Sequence, residues 1–280
     1  MTIIFYRILG NDIPVRHGSR QTPTNLAFIL KNEPQLPGSE KRFLLNRIVD
    51  SQVREQLIAM ITEAGLRWDE IPFVADEFRQ ATAFDEKTLY LTNQNAARNR
   101  CLELGLAESD VVLPFDGQVF FSSEGYSGML NELDANRDDK YLTVPMFRLR
   151  ENEHALLPWR GPDEEVDYLL WAEPQIIFRR GYDVGFNESL TYGNANKVEL
   201  LMRLGIRGPW DTWDRELYRD IRANIAAIRS DSYGRVRKAG FTFRLASGNW
   251  KAERNTSYRV QARKLGLEEF VARVDRAYRT

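Results

Sequence analysis

Apolar positions along the chain follow two alternating rhythms. Short continuous runs stand at residues 2–9 (TIIFYRIL), 42–50 (RFLLNRIVD), 71–75 (IPFVA), 110–115 (DVVLPF), 140–149 (KYLTVPMFRL) and 173–180 (EPQIIFRR). Runs of this length read as buried strands. Between several of them the spacing changes to about 3.6 residues. Val53, Leu57, Ile61 and Ala64 form one helical stripe, which Gly65 closes. Ala97, Cys101 and Leu104 form a second, and residues 124–134 a third helix. A helix beginning near Asn196 turns Val198, Leu201 and Met202 inward. The alternation predicts an α/β domain with a largely parallel sheet.

Other stretches are less decided. Residues 10–25 are rich in Gly, Pro and Asn and predict a loop, and residues 26–30 (LAFIL) fit a strand or a helical turn. Residues 150–168 (RENEHALLPWRGPDEEVDY) make a polar connection too long to be a plain link. From Trp213 the pattern Trp213, Leu217, Ile221, Ile225, Ile228 is helical, residues 241–245 (FTFRL) suit an edge strand, and an amphipathic helix carries Leu267, Phe270, Val271, Val274 and Tyr278 on one stripe. This places a boundary near residue 210, with 1–210 as the main domain and 211–280 as a mainly helical extension.

Charge sharpens that boundary. The net charge of the 280 residues is −1, yet residues 221–280 hold 14 Lys/Arg against 5 Asp/Glu, and residues 1–220 hold 25 against 35. A basic extension can meet phosphates or an anionic membrane surface, or be a solvated helical face. It lacks a nucleic-acid motif and the aromatic interleaving of a single-strand platform, so no nucleic-acid partner is expected. The single cysteine, Cys101, excludes an intrachain disulfide and suits a cytoplasmic protein. The N-terminus reads as a first strand rather than a signal peptide. No window approaches 18 uninterrupted apolar residues, so no membrane-spanning helix is expected.

Candidate chemistry concentrates in residues 93–121, NQNAARNRCLELGLAESDVVLPFDGQVFF. In open α/β sheets ligands bind beyond the carboxyl ends of strands. Asp116 stands at such an end, and Gly117 permits close backbone approach there. Its carboxylate can hold a divalent cation or accept from a sugar hydroxyl, or it can be a turn residue before Gly. Arg98 offers a planar fork suited to phosphate. Asn95 and Asn99 can read a ribose or a base edge, and Asn95 can instead cap the helix.

The order of these features resembles the nucleotide-sugar core of GT-A fold glycosyltransferases, above all the inverting, family 2-like group. There an Ala-Arg-Asn helix precedes a strand ending in Asp-x-Asp. A second stretch, EPQIIFRRGYDVGFNESLTYGNANKVELLMRLG at residues 173–205, resembles the group's acceptor-side segment. The resemblance covers residues 1–210. It implies a Rossmann-related, mixed but mainly parallel sheet flanked by helices, with the basic helical extension following. It also implies a UDP- or GDP-linked sugar donor and a saccharide or lipid-linked acceptor, as in cell-surface polysaccharide synthesis. The extension would then lie near a membrane surface.

The resemblance assigns roles residue by residue. Asp116 would be the metal ligand for Mn²⁺ or Mg²⁺, with Gln118 where a second carboxylate is usual, so a metal would be held weakly. Arg7, Asn11 and Asp12 leave the first strand where the donor is gripped. Asn46 and Asp50 leave the second, and Asp50 could equally cap the following helix. The general base would be Glu199, with Glu188 and Glu173 as rivals, because Lys197 stands where the group has an acid. If no metal binds, cations would take its place, from Arg98 or from Arg235, Arg237, Lys238, Lys251 and Arg254. Trp159, Trp171 and Trp210 are candidates for stacking on sugar rings or for core packing. A non-catalytic nucleotide- or glycan-binding protein of the same fold is the alternative. A nucleotidyltransferase would need a Gly-rich basic loop, which GNDIPVRHGSR at residues 10–20 matches poorly.

Overall fold

The structure is a computed structural model that describes residues 1–149, 151–159, 169–193, 196–206, 237–249 and 256–278, with the backbone alone for 169–172, 237, 256 and 259. The expected class is the one observed: a mixed, mainly parallel sheet flanked by helices. The first half runs β1 (Ile3–Leu9), α1 (Gln21–Asn32), β2 (Ser39–Asn46), α2 (Ser51–Glu63), β3 (Arg67–Ile71), α3 (Ala75–Gln80) and α4 (Phe84–Thr92). Then come α5 (Gln94–Glu108), β4 (Val111–Asp116), β5 (Val119–Phe120), α6 (Ser123–Ala135) and β6 (Tyr141–Arg148). A 3-10 turn (Asn152–Leu156), β7 (Leu169–Arg179), α7 (Val198–Arg203), β8 (Arg237–Lys238), β9 (Thr242–Arg244) and α8 (Thr256–Ala277) complete the described chain.

Among the described residues the sheet has nine strands in the order β3-β2-β1-β4-β7-β6-β9-β5, with β8 also on β6. The first four are parallel, so their carboxyl ends share one edge. β7 enters antiparallel between β4 and β6. All seven residues of β1 are buried, as suits a central strand covered on both faces. Ile4, Tyr6 and Ile8 face α5 and α7, while Ile3 and Phe5 face α6.

Three expectations are settled or changed in detail. Residues 26–30 are helical, because LAFIL is the middle of α1, whose Leu26 and Ile29 are buried. The third strand lies at β3, earlier than 71–75; its partly exposed residues on the sheet edge alternate too weakly to mark it. Phe73 instead packs with Phe78, Tyr90 and Tyr278. Residues 242–244 are not an edge strand: β9 pairs with β6 on one side and β5 on the other. That fit needs a close backbone approach, since a Cβ on Gly125 of α6 would stand 2.2 Å from the Phe241 oxygen. A Cβ on Gly240, at φ +57, would stand 2.1 Å from the Gly125 oxygen.

The stripe on α8 forms as expected, and it is spent inside the molecule. Leu267, Phe270, Val271 and Val274 bury against Ile13, Phe78 and Leu91. Gly266 lets α8 come down on Pro14, where a Cβ would meet the carbonyl oxygen at 2.1 Å. Further along the same helix Arg263 donates to the Gly193 oxygen at 2.9 Å and covers the Tyr192 ring. The helical pattern at 213–228 lies outside the described residues, so the division at 210 falls where the structure is not described. Residues 237–238 and 242–244 belong to the main sheet. No helix among the described residues is long and apolar enough to cross a membrane.

Candidate functional site

Helix α5 begins on a side-chain cap: Asn93 accepts from the Ala96 amide at 2.9 Å. The helical repeat then puts Asn95, Arg98 and Asn99 one turn apart on one face. This polar face is buried because it reads backbone. Asn95, fully buried, donates to the Asn187 and Asn196 oxygens at 2.7 and 2.8 Å. Asn99 donates to the Phe186 oxygen and accepts from the Phe186 amide, both at 2.9 Å. Both amides thus clamp the loop after β7 and the turn before α7.

Arg98 carries the chemistry onward. One guanidinium nitrogen donates to Asn95 at 2.7 Å, another to the Asp116 carboxylate at 2.6 Å, and the group lies 5.3 Å over the Phe186 ring. Asp116 ends β4 at the carboxyl edge of the parallel strands, where the β-region ladder stops and a ligand can enter. Gly117 permits the turn, since a Cβ there would stand 2.6 Å from the Ile8 oxygen at the end of β1. Lys197, only 3% exposed, reaches the second Asp116 oxygen at 3.5 Å, and Gln175 of β7 reaches the same oxygen at 3.4 Å. Burial by itself would raise the Asp116 carboxyl, but the Lys197 and Arg98 charges outweigh it and hold the group far below the usual carboxylate range. Burial lowers the Lys197 ammonium, with Asp116 opposing that shift.

Glu173 belongs to the same neighbourhood, because its charge acts on Lys197. It sits where β7 carries an extra residue: Val144 pairs with Gln175 but Met146 pairs with Ala172. Such bulges re-aim side chains and are frequent beside active sites. The other two carboxylates lie elsewhere. Glu188 accepts from Asn99 at 2.7 Å, and Glu199 is tied to Arg203 through both oxygens at 2.5 and 2.7 Å. Both line an open groove of about 780 Å³ on the outer side of α5, with Arg100, Tyr182 and Arg203. This groove is not lined by Asp116 or Lys197, which meet instead at the carboxyl ends of the parallel strands.

The remaining expected residues take structural posts around the strand ends. Asn11 donates to the Arg47 oxygen at 2.7 Å and accepts from the Val49 amide at 2.9 Å, joining the loops after β1 and β2. Asp12 accepts from the Thr22 hydroxyl at 2.7 Å and from the Thr22 amide at the start of α1. Burial raises its carboxyl, against the pull of those Thr22 hydrogen bonds. Asn46 donates to the Asn93 oxygen at 3.2 Å. Asp50 caps α2, accepting from the Gln52 and Val53 amides at 3.0 and 3.1 Å. Arg7 is fully buried, paired with Glu33 and donating to the Val119 oxygen at 2.9 Å.

Three contributors were not among the expected site residues. Lys197 stood out in the sequence only as a replaced acid. Gln175 is a lone amide inside an apolar strand, which is a signal of a buried polar partner. Arg244 meets the turned amide oxygen of Gln118 at 2.6 Å and adds its charge near Asp116, which no local pattern shows. Of the cationic tail residues, Arg235, Lys251 and Arg254 lie outside the described residues, as does Trp210. Trp159 packs against Phe241 and Phe147, with ring centroids at 4.8 and 4.6 Å.

These donors do not fit a divalent metal. Mg²⁺ and Mn²⁺ want several oxygen ligands, carboxylates foremost. Asp116 offers both oxygens to cations and amides, and the Gln118 oxygen is taken by Arg244. Among the described residues no group of three His, Cys, Asp or Glu side chains could hold a metal ion.

No protein-family model and no curated protein matches the sequence. Among solved structures, the chain is similar to the 1–349 segment of S. aureus TarS in complex with UDP, at 14% identity and TM-score 0.47, over 90% of this chain and 63% of that one. The chain therefore spans less than two thirds of that structure. The same segment in complex with UDP-GlcNAc gives 13% identity and TM-score 0.39, over 67% of this chain and 49% of that one. A Desulfovibrio desulfuricans G20 protein described as a nucleotide-diphospho-sugar transferase gives 10% identity and TM-score 0.39, over 99% of each chain.

Proposed function

We propose that the chain is a glycosyltransferase that takes a sugar from a nucleoside-diphosphate donor. One observation carries the reading: Asp116, at the carboxyl edge of four parallel strands, lies between Arg98 and Lys197 with Glu173 nearby. Cations at a strand edge suit a diphosphate, and their charge suits a departing one. Glu173, whose charge acts on Lys197, is the carboxylate that suits an inverting transfer, which needs a base at the acceptor hydroxyl. Among the three candidate bases Glu173 is favoured, since Glu188 and Glu199 belong to the outer groove. Residues 1–210 would hold donor and acceptor, and the described parts of 211–280 brace that unit. A saccharide or lipid-linked acceptor, a cytoplasmic setting and a membrane-surface contact are parts of the same proposal. With its apolar stripe buried, α8 would make that contact through its polar face.

The test is ligand-induced stabilisation. UDP, bound in a TarS crystal, is the first ligand, followed by GDP, CMP and their sugar conjugates. A ligand at 100 times its Kd raises stability by about 2.7 kcal/mol. A rise in melting temperature with one nucleotide class supports the reading, and none with any of them refutes it. A second reading, binding without transfer, draws on the pairing of Glu199 with Arg203 and of Glu188 with Asn99. Binding with no sugar transfer or donor hydrolysis identifies it.

A further inference from the structure

Lys197 is buried, yet its ion pair is loose. The ammonium stands 3.5 Å from one Asp116 oxygen, whereas the Arg98 guanidinium already holds the other at 2.6 Å. An ammonium has three donors, and this one contact leaves most of them unused. Two neighbouring donors are likewise unmatched: Arg98 Nε and Asn196 Nδ2 are buried without an acceptor. Asn196 is itself more than nine-tenths buried. The charged groups acting on Lys197 are Asp116, Arg98, Glu173 and Arg244. Gln175 Oε1 is the one acceptor of the cluster likewise buried without a partner, so unmatched donors and cations outnumber free acceptors there. Burying such a set is unfavourable unless something acidic completes it.

On the reading of the chain as a nucleotide-sugar transferase, we infer that Lys197 is a built-in cation that does the work of a divalent metal, binding the donor's diphosphate together with Arg98. Asp116 then has a different role from a metal ligand: it holds the two cations in place for the diphosphate. A resident divalent ion would have to share Asp116 with two positive side chains. The fixed ammonium supplies positive charge with no ion to capture, so donor binding is independent of divalent metal.

The experiment is calorimetric titration of the whole protein with UDP and GDP, in EDTA and again in Mn²⁺. The wild type binds one of them with affinities that agree within about threefold in the two conditions. Lys197→Met keeps the buried stem and loses at least tenfold in both, while Lys197→Arg retains most of the affinity. Lys197→Glu restores an acid beside Asp116, so binding vanishes in EDTA and returns in Mn²⁺. Melting curves of each variant without ligand establish that it is folded. Wild-type binding that needs Mn²⁺ overturns the inference and leaves the transferase reading standing. A folded Lys197→Met protein that binds like the wild type in EDTA also overturns it. No binding of either nucleotide by the wild type in either condition overturns both.

Discussion

Replacing Asn95 with Ala tests how the site is held together. The side chain is fully buried and makes three hydrogen bonds: two donated to the Asn187 and Asn196 oxygens, one accepted from Arg98. Removing it strands two carbonyls, each at a cost of about 1–3 kcal/mol, so the loss is about 2–6 kcal/mol. That is a large share of a typical stability of about 5–15 kcal/mol. In urea, with a slope of about 3 kcal/mol/M, the unfolding midpoint falls by about 0.7–2 M. Asn95→Asp separates the contributions: it keeps an acceptor for Arg98 and turns both donors toward the carbonyls into acceptors. It is expected to lose at least as much as Ala. If both variants unfold within about 0.5 kcal/mol of the wild type at unchanged slope, the amide is not the clamp described here.

Further expectations follow from other sites. Asp50→Ala removes a helix cap and costs about 1 kcal/mol in urea unfolding; unchanged nucleotide binding agrees with a capping role, and a fall in affinity gives Asp50 a place at the ligand. Gly125→Ala sets a methyl 2.2 Å from the Phe241 oxygen and is expected to cost about 1–3 kcal/mol, while Gly10→Ala, with open space around it, is the neutral control in the same thermal scan. Hydrogen bonds from Arg42 and then Arg67 lower Glu108 from 4.5 to about 2, so its contribution is whole above pH 4.5, fades as pH falls toward 2 and is absent below. Urea unfolding of Glu108→Gln against the wild type therefore differs at pH 7 and converges near pH 2. Glu173→Gln is expected to abolish sugar transfer while leaving nucleotide binding within about twofold, and a variant with undiminished transfer removes Glu173 as the base.

What the sequence made legible follows from how local each cause is. The runs at 2–9 and 110–115 gave β1 and β4, because a strand buried on both faces has no polar alternation to blur it. The stripe in residues 51–64 gave α2, and Gly65, at φ +68, does close it. The edge strand β3 was displaced, since half-exposed edges carry weak patterns. Helix α1 was half hidden by the turn-formers that precede it. At the site, Asp116 and Arg98 stand 18 positions apart in the sequence, so their pairing is within reach of local reading. Lys197, Gln175 and Arg244 come from three other elements, and only the folded sheet brings them near Asp116. Asn95 and Asn99 show why local reading stops short: their grip on the Asn187, Asn196 and Phe186 backbone depends on partners about 90–100 residues away.

The docking of α8 has a bearing on biosynthesis. It rests on Ile13 and Pro14 from the loop after β1 and holds Gly193 ahead of α7, so it joins both flanks of the strand edge. Ile13 and Leu267 touch one cluster from nearly opposite ends of the chain. At a translation rate of about 5–20 residues per second, the loop waits roughly 10–50 s for its partner. During that interval a nascent chain can form β1 to β4 but leaves Ile13, Phe78 and Leu91 uncovered. Chaperones would find their binding surface there, and the charge cluster around Asp116 would gain its final bracing late in synthesis.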